Sequence, residues 1–257
     1  MPTQFQKAEQ FSALHVKGSP VILYNIWDVG SANAVISAGA KALATGSMPV
    51  ALAHGFTDGE KIPLSAALSN AKRIVDATEL PVTMDLEGGY GVEPEKVADA
   101  VTQALATGVV GFNFEDQIVG GEGLHPVNLQ VTRIQAARRA AEAANIPAFI
   151  NARTDIFLKE KPEDHTSSML EEAIVRAKAF EDAGASGFFA PGLKDEAMIE
   201  RLCSAIELPV NIIALPGAPE NARLAELGVA RISYGPVPYR GMMAWLEQQA
   251  SNALNSL

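Results

Sequence analysis

"DAGASGFFAP", residues 182–191, contains the junction on which the fold turns. A stretch of helical period at 167–183 reaches Gly184, where a helix C-terminus needs a left-handed residue. An apolar run, "GFFAP" (187–191), starts three residues later. The junction recurs in "SAGAKAL" (37–43), "ATGVVGF" (106–112) and "ELGVARI" (226–232). "ELPVT" (79–83) and "ELPVN" (207–211) do the same with proline, which cannot continue a helix. Working outward, the other apolar runs are "VILYN" (21–25), "ALAT" (42–45), "PVTMD" (81–85), "GFNFE" (111–115), "AFIN" (148–151), "VNIIA" (210–214) and "RISYG" (231–235). Helical period fills 64–78, 93–107, 128–144 and 194–206 between them. Eight short strands alternating with helices predict a parallel sheet and, at this length, a closed (β/α)8 TIM barrel. An open doubly wound sheet shares the pattern. An amphipathic helix opens the chain and a terminal helix spans 239–256. No linker divides 1–257, which reads as a single α/β domain.

The chain of 257 residues is 48% hydrophobic and 19% charged, enough apolar content for a sizeable core. No apolar run approaches the ~18–20 residues of a membrane span, and the polar N-terminus lacks the features of a signal peptide. A single cysteine, Cys203, excludes an internal disulfide and suits a reducing compartment, so a cytoplasmic location is expected. The formal net charge is −10 and Lys and Arg form no block, which argues against a nucleic-acid surface.

In a barrel the active site lies on the loops that follow the strands. Those positions hold Thr45, Gly46 and Ser47, then Asp85 and Glu87, then Glu115 and Asp116. Asn151, Arg153 and Asp155 follow strand five, and Asn211 belongs to strand seven. Strand starts carry almost nothing ionisable. Asp85 and Glu87 could cap the next helix, and Arg153 could pair with Asp155 or Glu115. Together, however, Asp85, Glu87 and Glu115 repel one another at one rim unless a cation sits between them. Hard oxygen ligands without nearby His or Cys suit Mg²⁺, with Mn²⁺ as a substitute. Arg153 adds a planar fork for a carboxylate or phosphoryl group, giving a set that stabilises an enolate.

Smaller candidates stand beside these. His125, in the glycine-rich "VGGEGLHP" (119–126), has the setting of a lid residue able to donate a proton, and its other reading is a solvent-exposed loop residue. His54 is a second such histidine. His15 and His165 read as surface residues, Asp28 as a helix cap, and Cys203 as a small buried filler. Tyr234 and Arg240 face either the pocket or a subunit interface.

The ordered set "MDLEGGYG" (84–91), "GFNFEDQ" (111–117), "INARTD" (150–155) and "GFFAPGL" (187–193) resembles the isocitrate lyase/phosphoenolpyruvate mutase superfamily. "YNIWDVGSANAVISAGAKALATGS" (24–47) is similar to its opening and "SYGPVPYRGMMAWL" (233–246) to its close. The resemblance covers essentially the whole chain and is nearest the short phosphonomutase-like members. It implies a (β/α)8 barrel whose last helix, here 239–256, is exchanged with a neighbour in a homodimer or homotetramer. It implies Asp85 as the Mg²⁺ ligand, with Glu87 and Glu115 supporting it largely through water. The family often has aspartate where Glu87 stands. It further implies amides of Gly46, Ser47 and Met48 around a substrate carboxylate, Arg153 on the distal anion, Asn211 as a polar contact, and Asp58 near the reacting centre.

The loop "EDQIVGGEGLHPVN" (115–128) departs from the family. It lacks the Lys-Lys/Arg-Cys-Gly-His pattern of lyases acting on isocitrate or methylisocitrate, and the Pro-Lys-x-Asn-Ser pattern of phosphonopyruvate-forming mutases. The expected activity is therefore Mg²⁺-dependent C–C cleavage, by a lyase or hydrolase, of a small 2-oxo dicarboxylate such as oxaloacetate. C–P chemistry on phosphonopyruvate or phosphoenolpyruvate is the alternative, and a non-catalytic 2-oxo acid binder is a third reading.

Overall fold

The computed structural model describes residues 2–256. Its sheet comprises β1 (Val21–Leu23), β2 (Leu43–Ala44), β3 (Val82–Asp85), β4 (Gly111–Glu115), β5 (Phe149–Arg153), β6 (Gly187–Phe189), β7 (Val210–Ile213) and β8 (Arg231–Ser233). All pairs are parallel, in the order β1-β8-β7-β6-β5-β4-β3-β2. The ring closes just beyond β1, where Ile26 bridges Thr45 in parallel. Ile26 N–H donates to the Ala44 carbonyl at 2.9 Å and Gly46 N–H to the Ile26 carbonyl at 3.2 Å. The expected (β/α)8 barrel is what forms, and this closure rules out the open sheet.

The helices are α1 (Gln4–Ala13), α2 (Val29–Ser37), α3 (Ser47–Ala53), α4 (Leu64–Asp76), α5 (Pro94–Ala106), α6 (Val127–Ala143), α7 (Ser167–Asp182), α8 (Glu196–Ala205), α9 (Asn221–Glu226) and α10 (Val237–Leu254). The junction after α7 explains the repeated glycine. Gly184 has φ +99° and donates its N–H to Glu181, while Ala185 N–H returns to Phe180, so both orphan carbonyls are satisfied. Asp28 caps α2 as expected, its Oδ1 accepting Ser31 N–H at 2.7 Å. Cys203 is buried in α8, as expected, and burial pushes its thiol up to about 12.

Alternation along each strand sorts side chains between two cores. On β4, Phe112 and Phe114 join the large cluster shared with the helices. Gly111, Asn113 and Glu115 alternate with them and so face the barrel interior. At the N-terminal end, Ala8 and Phe11 of α1 close the interior against Leu23, Ala44 and Phe149. His15 belongs to this plug and is not a surface residue. Its ring stacks on Phe149 with centroids 3.9 Å apart, because the turn after α1 carries it under the barrel. Burial, aided by the nearby Arg231 charge, depresses its pKa to about 3. His165 is half-buried instead of exposed, with Nε2 2.9 Å from the Phe157 carbonyl.

One part of the wall is bare. Ile22 and Tyr24, on the outer side of β1, are exposed, as are Met242, Trp245 and Leu246 of α10. In a complete helical ring these apolar faces would be covered.

Candidate active site

Strand β3 ends in Asp85, and the chain then makes a tight left-handed turn, with φ of +51° at Glu87, +82° at Gly89 and +55° at Tyr90. Gly88 must be glycine for a different reason. A Cβ there would stand 2.7 Å from Val119 Cγ2 and 3.1 Å from Glu60 Oε1. The turn thus packs directly against two other rim loops.

These loops surround a cavity of about 260 Å³ at the C-terminal rim. Gly46, Ser47, Met48, Asp58, Asp85 and Arg153 line it, so six of the residues expected at the site do converge. Asn25, Asn113, Ser233 and Arg240 add polar groups, while Leu158, Phe189, Pro191, Ile213 and Leu215 form an apolar wall. Asp85 is held from behind, its N–H donating to Thr45 Oγ1 at 3.1 Å. Its carboxylate receives only long contacts, from Ser47 N–H at 3.4 Å and Glu87 N–H at 3.3 Å. Burial raises its pKa against the pull of Arg153, and Asp58 raises it further.

The remaining expected residues are placed differently. Glu87 turns away from the cavity, and its Oε2 accepts N–H groups from Gly59 at 3.0 Å and Glu60 at 2.8 Å. Its longer arm spans the gap to that loop. Burial, then the charge on Asp85, pushes its pKa up to about 8. Glu115 stands behind the wall, paired with Arg153 Nη1 at 2.8 Å, and its pKa is also about 8, chiefly from burial. Arg153 also grips Asp155 with two hydrogen bonds, at 2.6 and 2.9 Å. Burial disfavours its charge, but Glu115 and Asp155 outweigh that and raise its pKa.

Three expected substrate or proton contacts lie off the cavity lining. Thr45 is Asp85's support. Asn211 sits one pleat deeper than the lining residue Ile213, its Oδ1 accepting from Ser233 Oγ at 3.2 Å. His125 is buried at the base of its loop, neither exposed nor facing the cavity. Its N–H donates to the Asp116 carbonyl at 2.7 Å and its carbonyl accepts from Arg176 at 3.0 Å, so the loop stem is drawn outward toward α7. Asp116 itself pairs with Arg176 at 3.1 Å and is structural. Of the smaller candidates, Arg240 lines the cavity, Tyr234 accepts from Asn221 at 2.7 Å, and His54 Nδ1 lies 2.8 Å from the Val50 carbonyl of its own helix.

The electrostatics fit a cation. Asp58, Asp85, Glu87, Glu115 and Asp155 crowd one rim, with Arg153 paired to two of them, and their mutual repulsion is part of what raises Glu87 and Glu115. Among the described residues, no three His, Cys, Asp or Glu side chains are arranged to grip a metal directly. Asp85 lines the cavity with no ion-pair partner and only long hydrogen bonds to its carboxylate, which suits Mg²⁺, an ion that keeps several waters and takes one or two protein carboxylates.

Asn25 and Asn113 were the site residues missed from sequence. Asn25 Oδ1 accepts the N–H groups of Tyr234 and Gly235, and its Nδ2 donates to the Thr45 carbonyl, tying β8 and β2 at the seam. The available signal was an asparagine at or inside each apolar run, at a position facing the barrel interior.

A closed barrel with acidic residues and an arginine gathered on its C-terminal rim has the layout of a barrel enzyme with its active site at that end. Residues 11–254 match the phosphoenolpyruvate phosphomutase family, and the chain belongs to it, within the isocitrate lyase/phosphoenolpyruvate mutase superfamily of lyases and mutases. The solved structure of a phosphonomutase-like protein from Burkholderia cenocepacia superposes with a TM-score of 0.95 at 45% identity, covering 97% of this chain and 99% of that one. An uncharacterised protein of Mycobacterium tuberculosis is 37% identical over 89% of this chain and 83% of its own length. The oxaloacetate decarboxylase of Ectopseudomonas mendocina is 29% identical over 72% of this chain and 62% of its own. No helix among the described residues is long and apolar enough to cross a membrane.

Proposed function

We propose that this protein is a Mg²⁺-dependent lyase or hydrolase cleaving a C–C bond in a small 2-oxo (di)carboxylic acid such as oxaloacetate, through a pyruvate-like enolate. The observation that carries this reading is Asp85, set in the cavity without a charged partner and surrounded by carboxylates. It would hold the metal, with Glu115 acting through water, while Glu87 holds the Asp58 loop beside it. The chemistry supplied by the bound ion is polarisation of the substrate's oxygens. The chain does the rest. Ser47 and Met48, at the start of α3, present backbone amides to a substrate carboxylate. Arg153 is locked by Glu115 and Asp155, so its guanidinium meets the substrate in a fixed orientation. Asp58, exposed at the mouth and lining the cavity, would act near the reacting centre.

C–P bond chemistry is the second reading, favoured by the likeness to the phosphonomutase-like protein. The bare faces of β1 and α10 support an exchanged terminal helix in a homodimer or homotetramer. A turnover screen with Mg²⁺ and Mn²⁺ over oxaloacetate, methylisocitrate and phosphonopyruvate tests the activity. Oxaloacetate cleavage is expected. Turnover of phosphonopyruvate alone would favour the second reading, and turnover of none would end both.

A further inference from the structure

Asn113 stands at the centre of β4, opposite Asp85 in the β3–β4 register, and lines the cavity. Its Oδ1 accepts two hydrogen bonds from below, from Asn151 Nδ2 at 2.9 Å and Arg231 Nη2 at 3.1 Å. Arginine can only donate, so the atom facing Arg231 must be the amide oxygen, and the NH2 group must occupy the other side. That NH2 has no partner in the protein and is not among the sealed polar atoms, so it opens onto the cavity.

Arg231 is otherwise hard to account for. It is fully buried within the barrel, no carboxylate touches it, and its Nε and Nη1 have no protein partner. A buried guanidinium with no paired charge is costly to keep, and the one hydrogen bond its side chain makes among the described residues goes to Asn113.

We propose that Asn113 is a substrate-contacting hydrogen-bond donor of this site, its amide held in one orientation by Arg231 and Asn151. Beside Asp85, that NH2 meets an oxygen of the planar anion formed in the reaction. Arg231 is a positioning residue that acts through it. The proposal rests on the enolate reading above, and oxalate, a planar dianion resembling that enolate, probes the two separately.

Calorimetry of oxalate binding to the Mg²⁺-loaded protein provides the test, with Mg²⁺ affinity measured alone. Wild type should bind oxalate. Asn113→Ala should weaken it about ten- to hundredfold, the worth of one hydrogen bond to a charged group, and leave Mg²⁺ affinity within twofold. Asn113→Ser, whose oxygen still offers Arg231 an acceptor, should show the same loss and serves if the alanine variant does not fold. Asn113→Asp should keep or raise the melting temperature, because it pairs with Arg231, yet lose oxalate. If wild type ignores oxalate, the enolate reading fails and takes this proposal with it. If wild type binds and the alanine or serine variant binds within threefold of it, Asn113 is no substrate contact while the enolate reading stands.

Discussion

Glu87 offers a test between two roles that predict opposite outcomes for conservative changes. In the structure its carboxyl clasps the Asp58 loop through Gly59 and Glu60, and Tyr90 N–H donates back to Glu60 Oε1 at 2.8 Å. Asp in its place shortens the arm by one carbon–carbon bond, about 1.5 Å. That carries both contacts beyond hydrogen-bond range. Each half-buried amide left without its acceptor costs ~1 kcal/mol, about 2 kcal/mol for the pair, or roughly 30-fold in the clasped population. Glu87→Gln keeps a neutral acceptor at full length. With its pKa near 8, Glu87 itself is largely protonated at neutral pH in the metal-free protein, so Gln is a close mimic. Hydrogen exchange at Gly59 and Glu60 in metal-free protein should therefore be alike in wild type and Glu87→Gln and roughly 30-fold faster in Glu87→Asp. A metal-linked carboxylate would behave in the reverse way. Wild-type protection in Glu87→Asp, with Mg²⁺ affinity lost in Glu87→Gln, would refute the clasp.

Three further outcomes are expected. Asp85→Ala should abolish Mg²⁺-dependent turnover while the metal-free fold melts no lower than wild type, because a carboxylate whose pKa is raised by burial is itself destabilising once ionised; unchanged activity would exclude Asp85 as the metal ligand. His15 stays neutral in the native state down to about pH 3, whereas the unfolded chain takes up its proton below about 6.5. Stability is thus lost as pH falls through that window, and His15→Phe should remove ~2 kcal/mol of the loss between pH 7.5 and 5, read from urea unfolding at both values. Trp245→Glu places a charge on the exposed face of α10 and should shift the molar mass by light scattering toward the monomer; a monomeric wild type would contradict the exchanged helix.

Most of the fold was legible because its signals are local. Gly184 must take φ +99° whatever surrounds it, and Phe112 and Phe114 alternate with Asn113 because a strand has period two. α3 escaped notice because seven residues leave too short a period to recognise, although its first amides were expected to serve the site. His15 was misplaced because nothing near it in sequence indicates the aromatic floor of β5 on which it stacks.

The sequence alone determined that carboxylates, an arginine and a short run of amides gather at one rim, since strand direction and parallel order follow from local pattern. It could not decide which of these groups face one another. Glu87 reaches a loop 27 residues away, Arg153 is shared between two carboxylates, and Arg231 crosses the interior to Asn113, 118 residues distant. Such pairings depend on arm length, on which pleat a residue occupies, and on the cost of leaving a buried polar group alone. Those quantities exist only once the barrel has closed.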